Sequence, residues 1–313
     1  MTGFKIFEPC LISRETQALK KNSVEKNMHT MFLLIAFFSI TMLFLIMVFL
    51  FLEAYPLAEY ISLKDFIFGN YWYPTDDPAD FGIFPVIVGS LLVTLLSGLV
   101  AIPLGIMTAV FLAEIASKRI SEIIKPVVEL MASMPSVVIG FFGMVVVAPF
   151  IQKIFNIPVG LNLFNASLML AFMSIPTICS ISEDALFSVP VALKEASFAL
   201  GATHLETIVW VVFPASLSGI CTGVILGMSR AIGETMVVLM VAGGAAVIPS
   251  SLFDPVRPMP ATIAAEMAEA PYGSEHYHAL FAIGLVLFVF TFLFNILADH
   301  ISYKFRQTGE ASL

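Results

Sequence analysis

Long apolar runs alternate with polar stretches along the whole chain, and six of the runs have the length of helices that cross a lipid bilayer. The predicted spans are 31–52, 85–112, 126–150, 161–181, 215–241 and 279–300. A helix rises about 1.5 Å per residue, so roughly 20 residues match a hydrocarbon core about 30 Å thick. Residues 1–30 read as a polar N-terminal tail, 31–306 as a transmembrane domain and 307–313 as a C-terminal tail. The fold class is therefore all-α and polytopic, with six transmembrane helices. The first apolar run is too long for a signal-peptide core and follows a polar tail, so no cleaved signal is read.

Several spans carry residues that bend helices or let them pack closely. Gly89, Gly98, Pro103 and Gly105 fall in the second span, and neighbouring helices in a bundle can satisfy backbone groups that a proline frees. The third and fourth spans share a pattern: Ser-Met-Pro-Ser-Val at 133–137 and Ser-Ile-Pro-Thr-Ile at 174–178. Each puts a proline between hydroxyl residues inside lipid, where a hydroxyl compensates locally for the lost donor. Two readings follow: Ser133, Ser136, Ser174 and Thr177 line a path with hydroxyl donors, or the prolines mark packing kinks alone.

The polar segment 182–214 is longer than a connection needs. Pro190 suits a first helical turn, and Gly201 is a natural C-terminal stop. Leu193, Ala196 and Leu200 fall on one helix face. Thr203 and Glu206 have the spacing of a capping box that opens a second helix towards Pro214. The segment thus predicts a helix, a turn and another helix outside the membrane, built to touch a partner.

Composition agrees with lipid as the main solvent: 59% of residues are hydrophobic and 12% charged, with a mean hydropathy of +0.96. The net charge of -8 argues against a nucleic-acid partner. Cys10, Cys179 and Cys221 lack metal-ligand spacing, and the last two read as small packing residues in apolar runs. Basic residues support one orientation. With both termini inside, Lys5, Arg14, Lys20, Lys21, Lys26, Lys118, Arg119, Lys125, Lys194, Lys304 and Arg306 are cytoplasmic, against only Lys64, Lys153 and Arg257 outside. Tyr71, Trp72 and Tyr73, in the first outer loop, suit the headgroup level or the stacking of a ligand.

The candidate chemistry lies in the fifth span. Arg230 and Glu234, in the stretch Arg-Ala-Ile-Gly-Glu-Thr from 230 to 235, are charged within an otherwise apolar run. An intramembrane charge costs about 2.5 to 3.5 kcal/mol on insertion scales and usually faces a polar pathway. Their four-residue spacing puts both on one face of a continuous helix, so a pathway role and a self-neutralising pair are the two readings. Glu275, His276 and His278 are a weak metal signal, and no metal site is assigned. The phosphate-loop, His-Glu-x-x-His and Gly-x-Ser-x-Gly patterns do not occur, so a non-catalytic chain is expected.

The segment after the fourth span resembles the coupling loop of ABC-importer permeases. That pattern is Glu-Ala-Ala, three residues, Gly, nine residues, then an aliphatic, any residue, an apolar residue and Pro. Here it is met by Glu195, Ala196, Gly201, Val211, Phe213 and Pro214, with Ser197 in place of the second alanine. A wider likeness covers residues 66–300: FGIFPVIVGSLLVT from Phe81, ELMASMPSVVIGFFG from Glu129, IPTICSISEDAL from Ile175 and SRAIGETMVVLMVAGG from Ser229. In these the chain is similar to the PstC-type permease family of high-affinity phosphate importers.

The resemblance implies a type I ABC importer transmembrane-domain fold and ATP-driven import of inorganic phosphate across the bacterial cytoplasmic (inner) membrane. It implies a PstA-like second permease as heterodimer partner, two copies of a PstB-like ATPase, and a periplasmic or lipid-anchored phosphate-binding protein. ATP and Mg would be held by the ATPase, with no cofactor on this chain. Glu195, Ala196, Ser197, Gly201 and Pro214 would form the loop that seats on the ATPase. Arg230, Glu234, Thr235, Ser133, Ser136, Ser174 and Thr177 are the candidate pathway residues. The alternatives are a proton-coupled secondary anion transporter using Glu234, and an ABC permease for another oxyanion.

Overall fold

The computed structural model describes the backbone of residues 8–305 and the side chains of residues 28–300. Lys5, Cys10, Arg14, Lys20, Lys21, Lys26, Lys304 and Arg306, and the tail at 307–313, fall outside the described side chains. The chain divides into two compact units, one ending at Leu52 and one beginning at Glu53. Among the described residues, six helices are long and apolar enough to cross a membrane.

The first unit is the body of α1 (Glu8–Ala54), a single helix of 47 residues. At about 1.5 Å per residue it is roughly twice the thickness of a hydrocarbon core. Its apolar part, from Met28, is the first span, and the described part of the predicted tail, from Glu8, continues the same helix. Side chains such as Phe38 and Ile40 are exposed, as suits a helix whose solvent is lipid.

The second unit opens with a 3-10 turn (Tyr55–Glu59), α2 (Leu63–Phe68) and a small antiparallel hairpin, β1 (Trp72–Tyr73) with β2 (Asp80–Phe81). Ser62 caps α2 by accepting from the Asp65 N–H. Strand alternation separates the three aromatics: Tyr71 and Tyr73 are exposed and stacked, whereas Trp72 is 3% exposed and packs on Phe81. Trp72 therefore belongs to the core, not to an interfacial belt.

The helical body follows: α3 (Phe84–Val110) with a wide turn at Phe111–Ile115, α4 (Lys118–Ser133), α5 (Ser136–Phe142), a second wide turn at Gly143–Val147 and α6 (Ala148–Phe155). Next come α7 (Leu163–Phe187), α8 (Val191–Ala199), α9 (His204–Thr207), a third wide turn at Ile208–Val212, and α10 (Phe213–Ile232). The chain closes with α11 (Met236–Val241), α12 (Met259–Glu266) and α13 (Glu275–Phe305). The second and third wide turns lie just ahead of Pro149 and Pro214, which lack an N–H for the preceding turn.

Several predicted span limits change. The third span begins at Ser136, not 126, because Met134 is extended (ψ 135°) and the chain breaks before Pro135. Residues 118–133 form a separate amphipathic helix that shows charge on one side and Ile123, Val127 and Leu130 on the other. The fourth span runs on to Phe187 and takes in Glu183, 2% exposed, whose charge is met by Lys125 Nζ at 3.2 Å from α4. The fifth starts at His204 and stops at Ile232, not 241. Pro176, unlike Pro135, stays inside a continuous helix.

Glycines set the closest helix contacts. Gly219, Gly223 and Gly227 recur every four residues along α10 and all face α7. Added Cβ atoms would meet the Ala185 methyl, Ser182 Oγ at 3.1 Å, and Ile178 Cγ1 at 2.5 Å. Gly105 of α3 faces the same Ile178, whose Cγ2 an added Cβ would meet at 2.8 Å. Without a hydrophobic drive between helices in lipid, such small-residue stripes let backbones approach and gain dispersion.

At the hairpin end of the unit, Glu266 on α12 gathers three donors. Trp72 Nε1–H donates to Oε2 at 3.0 Å, Arg257 Nη1 pairs with Oε1, and His276 Nε2 lies 2.9 Å from Oε2. Arg257 Nε also donates to the Gly244 carbonyl at 2.6 Å. One carboxylate thus ties the hairpin, the 243–258 loop, α12 and α13. His278 turns to the Glu53 carbonyl at 2.7 Å, so the two histidines serve different partners.

Candidate functional site

The stretch around Arg230 is a break between two helices. α10 ends at Ile232 with Gly233 as its cap, the Glu234 N–H donates to the Ala231 carbonyl at 3.3 Å, and α11 starts at Met236. The one-face geometry expected of a four-residue spacing is interrupted here, and Arg230 and Glu234 form no ion pair among the described residues. Glu234 instead serves the backbone: its Oε1 accepts from the Val237 N–H at 3.3 Å, closing the first turn of α11. Arg230 is exposed in the last turn of α10, where the helix dipole favours a cation.

The second break lies alongside. α5 starts after Pro135, and Gly140 in its middle packs against the start of α11, its Cβ position 3.2 Å from Val237 Cα and 3.4 Å from the Met236 carbonyl. Ser136 lies four residues from Gly140, about 6 Å along the axis. The two short helices thus pack side by side, each starting at a break in an apolar run. Broken helices at membrane depth line cavities or lie buried in protein.

The hydroxyls differ in what they offer. Ser133 donates to the Leu130 carbonyl at 2.8 Å, Thr235 to Gly233 at 3.3 Å and buried Ser174 to Leu170 at 2.9 Å. Their protons are spent, and the remaining lone pairs repel an anion. Ser174 also lies in the α7–α10 seam beside Gly227, with Thr177 one turn further and half-buried. Among the candidate residues, the hydroxyls of Ser136 and Thr177 and the exposed Arg230 guanidinium are left with free donors, and only the last is charged. Beside it, Ser229 Oγ donates to Asn295 Oδ1 of α13 at 2.6 Å. Sequence reasoning missed this contact, although a lone amide in the sixth apolar run was the available signal.

The loop after α7 is built as the spacing predicts. Pro190 precedes α8, Gly201 has φ +87°, and the Thr203–Glu206 capping box is complete, with Thr203 N–H to Glu206 Oε2 at 2.8 Å. Two residues one turn apart face inward from α8. Lys194 Nζ pairs with Glu114 Oε1 at 2.6 Å, and Ser197 Oγ lies 2.9 Å from Thr207 Oγ1. Glu195, Ala196, Leu193 and Phe198 are exposed, and Leu200 is 91% exposed. Pro214 opens α10, after the wide turn.

An added side chain at Gly201 meets nothing within 4 Å, so only backbone strain acts there. Gly201→Val is expected to leave the spans folded but to distort the turn at a cost of about 1–2 kcal/mol. ATPase co-purification should fall, and Gly201→Asn, which tolerates this conformation, should retain more of it.

Six spans among the described residues, a helix break beside an exposed guanidinium, and a helical loop with exposed apolar side chains describe a permease subunit. Residues 101–307 match the family described as binding-protein-dependent transport system inner membrane component, and the chain belongs to that family. Among relatives, it is 42% identical over 248 residues to the probable ABC transporter permease protein YqgH of Bacillus subtilis, covering 79% of this chain and 80% of that one. It is 36% identical to the phosphate transport system permease protein PstC of Mesorhizobium japonicum over 78% and 80% of the two chains. Identity to PstC of Haemophilus influenzae is 32%, over 86% and 92%. A bacterial alginate ABC transporter crystallised with its periplasmic protein shares the fold, with a TM-score of 0.66 at 17% identity over 93% and 98% of the chains. The MetNI methionine transporter gives 0.57 at 21% over 70% and 94%.

Proposed function

We propose that this chain is the PstC-type permease subunit of an ATP-driven phosphate importer in the bacterial cytoplasmic membrane. The observation that carries the reading is the coincidence of the coupling-loop geometry at 190–214 with relatives that are themselves named phosphate permeases. A PstA-like permease would complete the pathway, two PstB-like ATPases would seat against α8, and a phosphate-binding protein would dock at the hairpin end. The chain itself would hydrolyse nothing, with ATP and Mg held by the ATPase.

Arg230 suits the task on chemical grounds. A guanidinium offers forked donors matched to phosphate oxygens and stays charged at physiological pH. Glu234, held on the backbone of α11, places a negative charge nearby in sequence that weakens retention of an anion. Both termini, and the loops around α4 and α8, would then be cytoplasmic.

The test is uptake by proteoliposomes containing this chain, the second permease and the ATPase, with the binding protein outside. Labelled phosphate should accumulate only with internal ATP, and excess unlabelled sulfate should not compete. Uptake that survives ATP depletion and follows a proton gradient would overturn the reading.

A further inference from the structure

We propose that the Lys194–Glu114 ion pair is the contact through which movement of the α8 loop reaches α3 and, through α3, the α7–α10 pair that carries Arg230. The inference rests on the reading of this chain as an ATP-driven permease and assigns a transmission role to two residues. Both are positioning residues, since neither touches substrate.

Glu114 stands in the wide turn that ends α3, and its side chain is only 6% exposed. Lys194 reaches it from the inward face of α8 at 2.6 Å and is itself 22% exposed. Glu114 has no other ion pair among the described residues. A carboxylate so far removed from water is costly when unpaired, so the pair resists separation far more than an apolar contact resists sliding. Displacement of α8 therefore carries the end of α3 with it.

What lies beyond Glu114 extends the connection. Leu112, in the same turn, packs in one buried cluster with Leu186 at the end of α7 and Val212 just before α10. Further along, Ile178 of α7 is held between Gly105 of α3 and Gly227 of α10. Gly227 is three residues from Arg230. The second inward contact of α8, Ser197 with Thr207, leads only to the base of its own helical hairpin. Lys194–Glu114 is thus the polar tie from α8 to α3.

The test measures ATP hydrolysed per phosphate imported in the reconstituted complex, together with ATPase co-purification. Glu114→Gln and Lys194→Met should keep the ATPase bound and hydrolysing while raising that ratio several-fold. The swapped pair, Glu114→Lys with Lys194→Glu, should return it towards wild type. Single variants with an unchanged ratio would overturn the inference, as would uptake that falls only in step with lost ATPase and is not restored by the swap. Should the single variants fail to accumulate, the swapped pair decides: a wild-type ratio supports the tie and a raised ratio overturns it. A wild-type complex that imports phosphate without consuming ATP removes the functional reading and this inference together. Normal wild-type coupling with unaffected variants removes the inference alone.

Discussion

Gly223→Leu is expected to abolish accumulation of the folded chain in the membrane. The Cβ position of Gly223 already lies 3.2 Å from Ile181 Cβ and 3.3 Å from the Ile178 carbonyl. The second of these is backbone and cannot turn aside. A leucine adds four carbons where the helices leave room for none, so α10 must lift from α7 along its length. Overpacking a core costs about 1–3 kcal/mol and more when backbone must move, and here the two helices also lose the contacts of Gly219 and Gly227. Membrane-extracted protein should fall several-fold, and Gly223→Ala should be milder. Leu226→Ala, on the same helix but 49% exposed, should leave protein levels near wild type. Equal levels for Gly223→Leu would show that the seam does not hold the pair together.

The second large effect concerns transport, not folding. Arg230→Gln should lower phosphate uptake tenfold or more with little change in protein level or bound ATPase. Arg230 is exposed and has no ion pair among the described residues, so its stabilising share is limited to the helix-end contribution of about 0.3–1 kcal/mol. On the proposed reading, its share in anion passage is the charge itself. Arg230→Lys keeps that charge but not the planar fork, and should fall between wild type and Gln. Undiminished uptake by an assembled Arg230→Gln complex would make the guanidinium structural. The broken helix makes Glu234→Gln informative too: an amide oxygen can still accept from the Val237 N–H, so only the charge is removed.

What the sequence disclosed follows from how far each signal reaches along the chain. The six spans were legible because hydropathy is a local property, and so was the 190–207 loop, where Pro190, Gly201 and the Thr203–Glu206 pair each act within one turn. The break before Pro135 was half legible, since the residue before a proline leans towards extended backbone, yet Pro176 carries the same signal and its helix continues. The break at Gly233 was obscured by the apolar residues that continue on both sides of Arg230 and Glu234. Pairings across the fold had no local mark. Nothing near Glu183 names Lys125, and nothing near Glu266 names Trp72, Arg257 and His276 together. The glycines of α10 were visible at a four-residue period, but the helix they face was not.

Only two tryptophans occur in the chain, and they stand at opposite ends of the second unit. Trp72, 3% exposed, lies under the hairpin beside the start of α3, its indole N–H on Glu266. Trp210, 76% exposed, lies in the wide turn below α10, next to Val212, which packs with Leu112 at the far end of α3. Their emission therefore divides into a shielded component and one open to quenchers. With either indole replaced by phenylalanine, the remaining one is an optical reporter confined to a single end of the helical bundle. The order in which the two ends respond during a transport cycle can then be timed without attaching a dye.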